Sequence, residues 1–155
     1  MSAMVLEGVV AIQLFTHAAV VLARTAIQAV VTVEPAPAHL VGTGGAIGAV
    51  LRYWVGQRVS RGSSGRFPLA TFAVNVVGSF VFGLAVFAGA SESTLQLVGT
   101  GICGSFTTFS TFSVETVRLY ERGERALAVG NAAATLACSL AAIGLAWVLI
   151  VASSL

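Results

Sequence analysis

Three sets of polar side chains stand inside stretches that are otherwise apolar. Thr71, Asn75 and Ser79 recur every four residues, as do Asn131, Thr135 and Ser139. Each trio therefore shares one face of a helix. The third set is Thr107, Thr108, Ser110 and Thr111, interleaved with Phe106, Phe109 and Phe112. Hydroxyls and amides supply hydrogen-bond donors and acceptors, but no nucleophile–base pair or metal-ligand cluster accompanies them, so an enzyme is not expected. Two uses remain for such groups at membrane depth. They glue helices together by hydrogen bonds, or they form a polar track that faces a ligand. Asn75 falls near the middle of its helix, where an unpaired amide is costly. With Thr71 and Ser79 on the same face, both uses stay open.

The third set sits in the run Gly99-Thr-Gly-Ile-Cys-Gly-Ser-Phe-Thr-Thr-Phe-Ser-Thr-Phe112. Glycines at 99, 101 and 104 loosen its first half, and hydroxyls with phenylalanines fill the second. A helix that breaks at membrane depth leaves backbone N–H and C=O groups unpaired. That is tolerable only where the backbone is buried in protein, lines a wet cavity or binds an ion. The break is therefore the expected functional site. Phe109 and Phe112, three apart, lie on adjacent faces of its downstream half. Core packing is the ordinary role of such a pair; its place among hydroxyls also points to function.

The elements that carry these residues follow from composition. The 155 residues are 57% hydrophobic and 9% charged, with a mean hydropathy of +0.94. Soluble domains carry about 25% charged residues, so an all-α integral membrane protein is expected. The chain has no lysine and no aspartate, and its arginines lie in connectors rather than in one patch. Nucleic acid is not the expected partner. Cys103 and Cys138 stand in apolar segments without ligand-like spacing, which suits small core residues better than a disulfide or a metal site.

Four membrane helices are expected at about 40–59, 68–88, 95–120 and 125–151, forming a domain over 40–155. Each approaches or exceeds the ~20 residues needed to span a bilayer. Gly44 and Gly48 make a small-xxx-small face on the first, where another helix can approach closely. Arg52 follows one turn later. It snorkels to the interface, or it sets positive potential at an anion entrance. Glu115 and Arg118 sit three apart near the end of the third helix, able to pair or to rest as a solvated end. Trp147 suits an interfacial anchor on the fourth. Residues 1–39 form an extension with no basic amino-terminal region, unlike a signal peptide. Its polar residues Gln13, His17, Arg24 and Gln28 fall within roughly 60° of one another on a helix. Such a stripe lies in the membrane interface or faces other helices in an additional span; alternatively, the protein starts near Leu40. Glu34-Pro-Ala-Pro-Ala-His39 is expected to break the helix and act as a linker.

From about Leu40 onward the chain resembles the CrcB/Fluc family of fluoride channels. The resemblance rests on three motifs in order: Gly44-Gly-Ala-Ile-Gly-Ala-Val-Leu-Arg52, Pro68-Leu-Ala-Thr-Phe-Ala-Val-Asn75-Val-Val-Gly78, and Gly104-Ser-Phe-Thr-Thr-Phe-Ser-Thr-Phe-Ser113 followed by Glu115. It implies a four-helix transmembrane bundle with a broken third helix, in the cell membrane. It also implies two subunits paired antiparallel, as a homodimer or as a heterodimer with an oppositely oriented homologue. Fluoride would leave the cytoplasm passively past Phe109, Phe112 and Asn75, with Ser110, Thr71, Thr135 and Ser139 as pathway or flanking hydroxyls and Arg52 and Glu115 at the entrance. A structural Na⁺ at the dimer interface would be held by the backbone carbonyls of Gly104 and Thr107. Two positions depart from the family pattern: Ser105 replaces a usual glycine, and Phe106 a smaller aliphatic.

The physical chemistry is consistent with that role. Fluoride is small and tightly hydrated, so a pore must replace its water with donors. The positive edge of a phenyl ring faces an anion without holding it too tightly, and conduction needs sites that release their ion. Arg58, Arg61, Arg66, Arg122 and Arg125 cluster around two loops on one side, against Glu92 alone on the other. This asymmetry predicts one orientation, with 60–67 and 121–125 cytoplasmic. The alternative function is a small proton-coupled antiparallel-dimer exporter. It needs a titratable carboxylate well inside the membrane, and Glu115 lies near a helix end.

Overall fold

The computed structural model describes residues 35–62 and 67–154, and all regular elements within them are helical. Helix α1 spans Pro35–Gly62 and α2 spans Leu69–Phe87. The next stretch is composite. One turn, α3 (Glu92–Thr94), runs into a π-helix (Leu95–Cys103), then one further turn, α4 (Gly104–Phe106). After Thr107 and Thr108 the chain resumes as α5 (Phe109–Glu121), and α6 (Arg125–Ser153) closes it. The polar stripe at Gln13, His17, Arg24 and Gln28 lies outside the described residues, as does Arg66.

The expected linker at Pro35–His39 is instead the start of α1. Pro35 and Pro37 fall in the first turn, where a backbone N–H has no helical partner to lose and the fixed φ of proline suits the helix. Gly89 at φ +66° and Gly123 at φ +80° turn the chain after α2 and α5. Just beyond each, an N–H reaches back five residues, Ala90 to the Ala85 carbonyl and Glu124 to that of Leu119. This pattern caps a helix whose exit residue must be left-handed.

The packing runs inside out for a water-soluble protein. Apart from Val74 and Leu119, the buried positions are held by small or polar residues, among them Ala128, Ala142, Ala146, Cys103, Thr71, Asn131 and Thr135. Large apolar side chains face outward instead, among them Val50, Tyr53, Trp54, Leu136, Leu140 and Val148. Without a hydrophobic drive between helices, close backbone approach through small residues is what holds a bundle in lipid. Helices α2 and α6 are each long and apolar enough to cross a membrane by length and composition.

Helix α1 meets the π-helix at such an approach. A Cβ on Gly44 would run into the Leu97 carbonyl, and one on Gly48 into the Ile102 carbonyl. Gly101 returns the contact, since its Cβ would stand 2.9 Å from the Gly44 Cα. Between α2 and α6, a Cβ on Gly83 would come within 3.0 Å of the Ala146 methyl.

Candidate functional site

The site begins where the helix stops. The Thr107 N–H and hydroxyl both donate to the Cys103 carbonyl, each at 2.9 Å. The backbone then extends, with ψ 162° at Thr107 and φ −151° at Thr108. Thr108 restarts the helix as the cap of α5: its Oγ1 accepts the Thr111 N–H at 3.2 Å and donates to Thr111 Oγ1 at 3.0 Å. A side-chain oxygen in this position satisfies an amide that the first turn would otherwise orphan.

Asn75 supplies the remaining bonds. Its Oδ1 accepts the Thr108 N–H at 2.8 Å, and its Nδ2 donates to the Thr108 carbonyl at 3.1 Å. One side-chain amide thus serves both backbone groups of the extended residue, as a neighbouring strand would. The diversion has a consequence upstream. In a continuous helix the Thr108 N–H would close on the Gly104 carbonyl; here it is given to Asn75, and the Gly104 oxygen loses that partner.

Among the described residues, three cavities adjoin the break. In one, of about 320 Å³, Asn75, Ser79, Thr135 and Ser139 face Phe109 and Phe112. The two rings lie 5.8 Å apart, tilted by 41°. Phe109 is 80% exposed. Thr135 is buried, and its hydroxyl has no hydrogen-bond partner. A second cavity, of about 310 Å³, lies across Thr108 and is lined by Arg52, Thr71, Thr111 and Glu115. The third, of about 250 Å³, runs beneath Cys103, Gly104 and Thr107 to Phe82 and Ile143.

Helical spacing placed Thr71 on the face of Asn75 and Ser79, yet the structure parts them: Thr71 opens to the second cavity and Ser79 to the first. Ser110 is exposed, with its Oγ 3.3 Å from Thr108 Oγ1. Arg52 turns toward the break, Nη1 standing 3.4 Å from the Thr107 carbonyl. Glu115 faces the same cavity as Arg52, and its Oε2 is buried without a hydrogen-bond partner. Arg58 stacks over Trp54 at 4.5 Å and Arg125 over Tyr120 at 5.3 Å, pairs that suit a membrane interface. Gly104 has open space around it: the nearest atom to a built Cβ is the Gly99 carbonyl oxygen at 3.9 Å. Phe106 finds its room at Gly78, where a Cβ would stand 3.3 Å from the Phe106 ring.

Sequence reasoning missed Thr108 as the keystone of the break and did not single out Thr116. The first carried a readable signal, a threonine three residues ahead of another at the start of an amphipathic run.

A helical chain that turns large apolar side chains outward, with two helices long and apolar enough to cross a bilayer, has the make-up of a membrane protein. Its sequence matches the family model described as "CrcB-like protein, Camphor Resistance (CrcB)" over residues 39–147, and the chain belongs to the CrcB family. It is similar to "Fluoride-specific ion channel FluC 2" of Haloarcula marismortui, with 56% identity over 110 residues that cover 71% of this chain and 90% of the relative. "Fluoride-specific ion channel FluC 1" of Halobacterium salinarum is 46% identical over 114 residues, covering 74% and 93%. "Fluoride-specific ion channel FluC" of Agrobacterium fabrum is 48% identical over 110 residues, covering 67% and 87%.

Proposed function

We propose that this protein is a fluoride-specific channel of the cell membrane that lets cytoplasmic fluoride out down its gradient. The observation that carries the reading is the first cavity. The unpartnered Thr135 hydroxyl, Ser139 and the second N–H of the Asn75 amide supply donors opposite the two rings. Such donors replace the water of a small anion, and the ring edges offer contacts weak enough to release it. Ser110 and Thr71 extend the donors outward, and Arg52 and Glu115 mark the entrance.

The reading needs a second subunit. The cavity beside the exposed Phe109 carries the polar groups of Asn75, Ser79, Thr135 and Ser139, which would be costly to leave open to lipid in a single subunit. An antiparallel pair of four-helix bundles with broken third helices would cover it and give two pathways. The proposed structural Na⁺ fits this scheme in part. The Gly104 carbonyl, released from the Thr108 N–H, is a hard oxygen donor of the kind such a cation takes. The Thr107 carbonyl is shared with the Arg52 guanidinium. Two carbonyls from one chain cannot encircle a cation, so a partner subunit must complete the site. When bound, the ion would fix the break; Asn75 and Thr108 hold it from the protein side.

Thr135→Val tests the cavity without disturbing the fold. The hydroxyl has no hydrogen bond to lose, so thermal stability should hold or rise, while fluoride efflux from liposomes falls. Unchanged efflux would remove Thr135 from the path. The arginines at the α1–α2 and α5–α6 connections should orient the chain with those connections cytoplasmic. Such a chain needs an oppositely oriented homologue for an antiparallel pair. Accessibility of single cysteines should therefore report one orientation; equal populations of two would support a homodimer instead. Proton-coupled, saturable transport lost in Glu115→Gln would favour the exporter.

A further inference from the structure

Asn131 is almost completely buried, at 1% exposure. It lies in the second turn of α6 and lines none of the three cavities around the break. Its Nδ2 lies 2.8 Å from Thr116 Oγ1 in α5. The same Thr116 hydroxyl lies 2.7 Å from the Phe112 carbonyl, one turn earlier. A hydroxyl carries one proton. The carbonyl can only accept, so that proton goes to Phe112, and Asn131 must donate into the oxygen. The amide orientation and the hydroxyl rotor are thereby fixed together. Hydroxyls that bond back to the carbonyl four residues earlier bend a helix. Ser113 does the same to Phe109, at 2.8 Å, but it has no recorded partner in α6.

We infer that Asn131 and Thr116 form a relay that positions Phe112, setting the angle at which its ring meets the conduction cavity from outside that cavity. The inference rests on the reading of Phe112 as a pathway residue. Asn131 and Thr116 are positioning residues: neither lines the cavity with Phe112. The relay reaches only one of the two rings, so it adjusts Phe112 relative to Phe109.

The test is fluoride efflux from proteoliposomes, with 4-fluorophenylalanine at position 112 or 109 as a ¹⁹F probe. Thr116→Val keeps the volume and removes the hydroxyl. It should slow efflux by about tenfold, the kinetic equivalent of one net hydrogen bond. It should also shift the resonance at 112 and leave that at 109 in place. Thr116→Ser keeps the hydroxyl and should conduct near the wild-type rate. Thr116→Val combined with Asn131→Leu should be no slower than Thr116→Val alone, because the two act as one unit. The relay is refuted if Thr116→Val conducts at the wild-type rate with the 112 resonance unmoved, or if Thr116→Ser is as slow as Thr116→Val. Phe112→Ala separates the two levels. If it conducts normally, the path is misassigned and there is nothing for the relay to position. If it abolishes efflux while Thr116→Val does not slow it, the relay alone fails.

Discussion

Replacing Asn75 with leucine is expected to remove fluoride efflux and to lower thermal stability together. Leucine has similar bulk but neither donor nor acceptor, so the Thr108 N–H loses its acceptor, and the Thr108 carbonyl, which as the cap of α5 also serves the helix, loses one donor. Thr108 is 7% exposed, so water cannot take over. An orphaned buried N–H costs about 1–3 kcal/mol, a large part of any protein's stability margin. The N–H can escape that cost only by returning to its helical acceptor at Gly104, which closes the break. Ser79→Ala is the control: it lines the same cavity but makes no recorded bond to Thr108. It should melt near the wild-type temperature. An Asn75→Leu protein as stable as that control would show that the clamp does not hold the break open.

Gly48→Ala should have the second large effect, on assembly of the fold. The added methyl would meet the Ile102 carbonyl, with Phe106 N at 3.0 Å and Ile102 C at 3.1 Å. All three are backbone atoms of the segment that carries the break, so no side chain can swing aside. Overpacking costs about 1–3 kcal/mol where neighbours can adjust, and here α1 would have to lift. The monodisperse yield from detergent should collapse. Gly42→Ala and Gly45→Ala on the same helix meet nothing within 4 Å and should be neutral or gain up to about 1 kcal/mol in helix propensity. Equal yields for all three would mean that α1 does not seat on the π-helix in this way.

Much of this was legible in the residues, for physical reasons. Apolar length sets where helices can lie, so the starts and ends of α2 and α6 fall within about two residues of expectation, the usual uncertainty of helix ends. The Pro35–His39 stretch misled because two prolines read as a breaker, whereas at a helix start they cost nothing. The glycines in the run before Phe112 were read as loosening the helix. Gly101 instead admits α1, and Gly99 would bring a Cβ within 3.1 Å of the Phe82 ring. Only Gly104 stands in open space. The π-helical winding of Leu95–Cys103 has no signature in a period of 3.6 residues.

The polar track was legible as a list and not as a map. Periodicity puts Thr71, Asn75 and Ser79 in one row, but Thr108 crosses that row and divides it into two cavities. For Asn75 the bonds to Thr108 show the structural use, a clamp between helices. Arg52 and Thr107 are 55 residues apart, and Asn131 and Thr116 are 15 apart across a turn. Tertiary packing alone brings such pairs together.

If this chain passes fluoride through the cavity between Thr135 and the Phe109–Phe112 pair, a flux assay reads it directly. Purified protein, with an oppositely oriented homologue supplied if one orientation is found, should be sealed into liposomes loaded with equal fluoride and chloride. A potassium gradient with valinomycin then drives anion efflux, followed with ion-selective electrodes. Fluoride should be released rapidly with chloride retained, and Phe109→Ala should lose that release. Fluoride retained by the intact protein, or released equally by Phe109→Ala, would contradict that route.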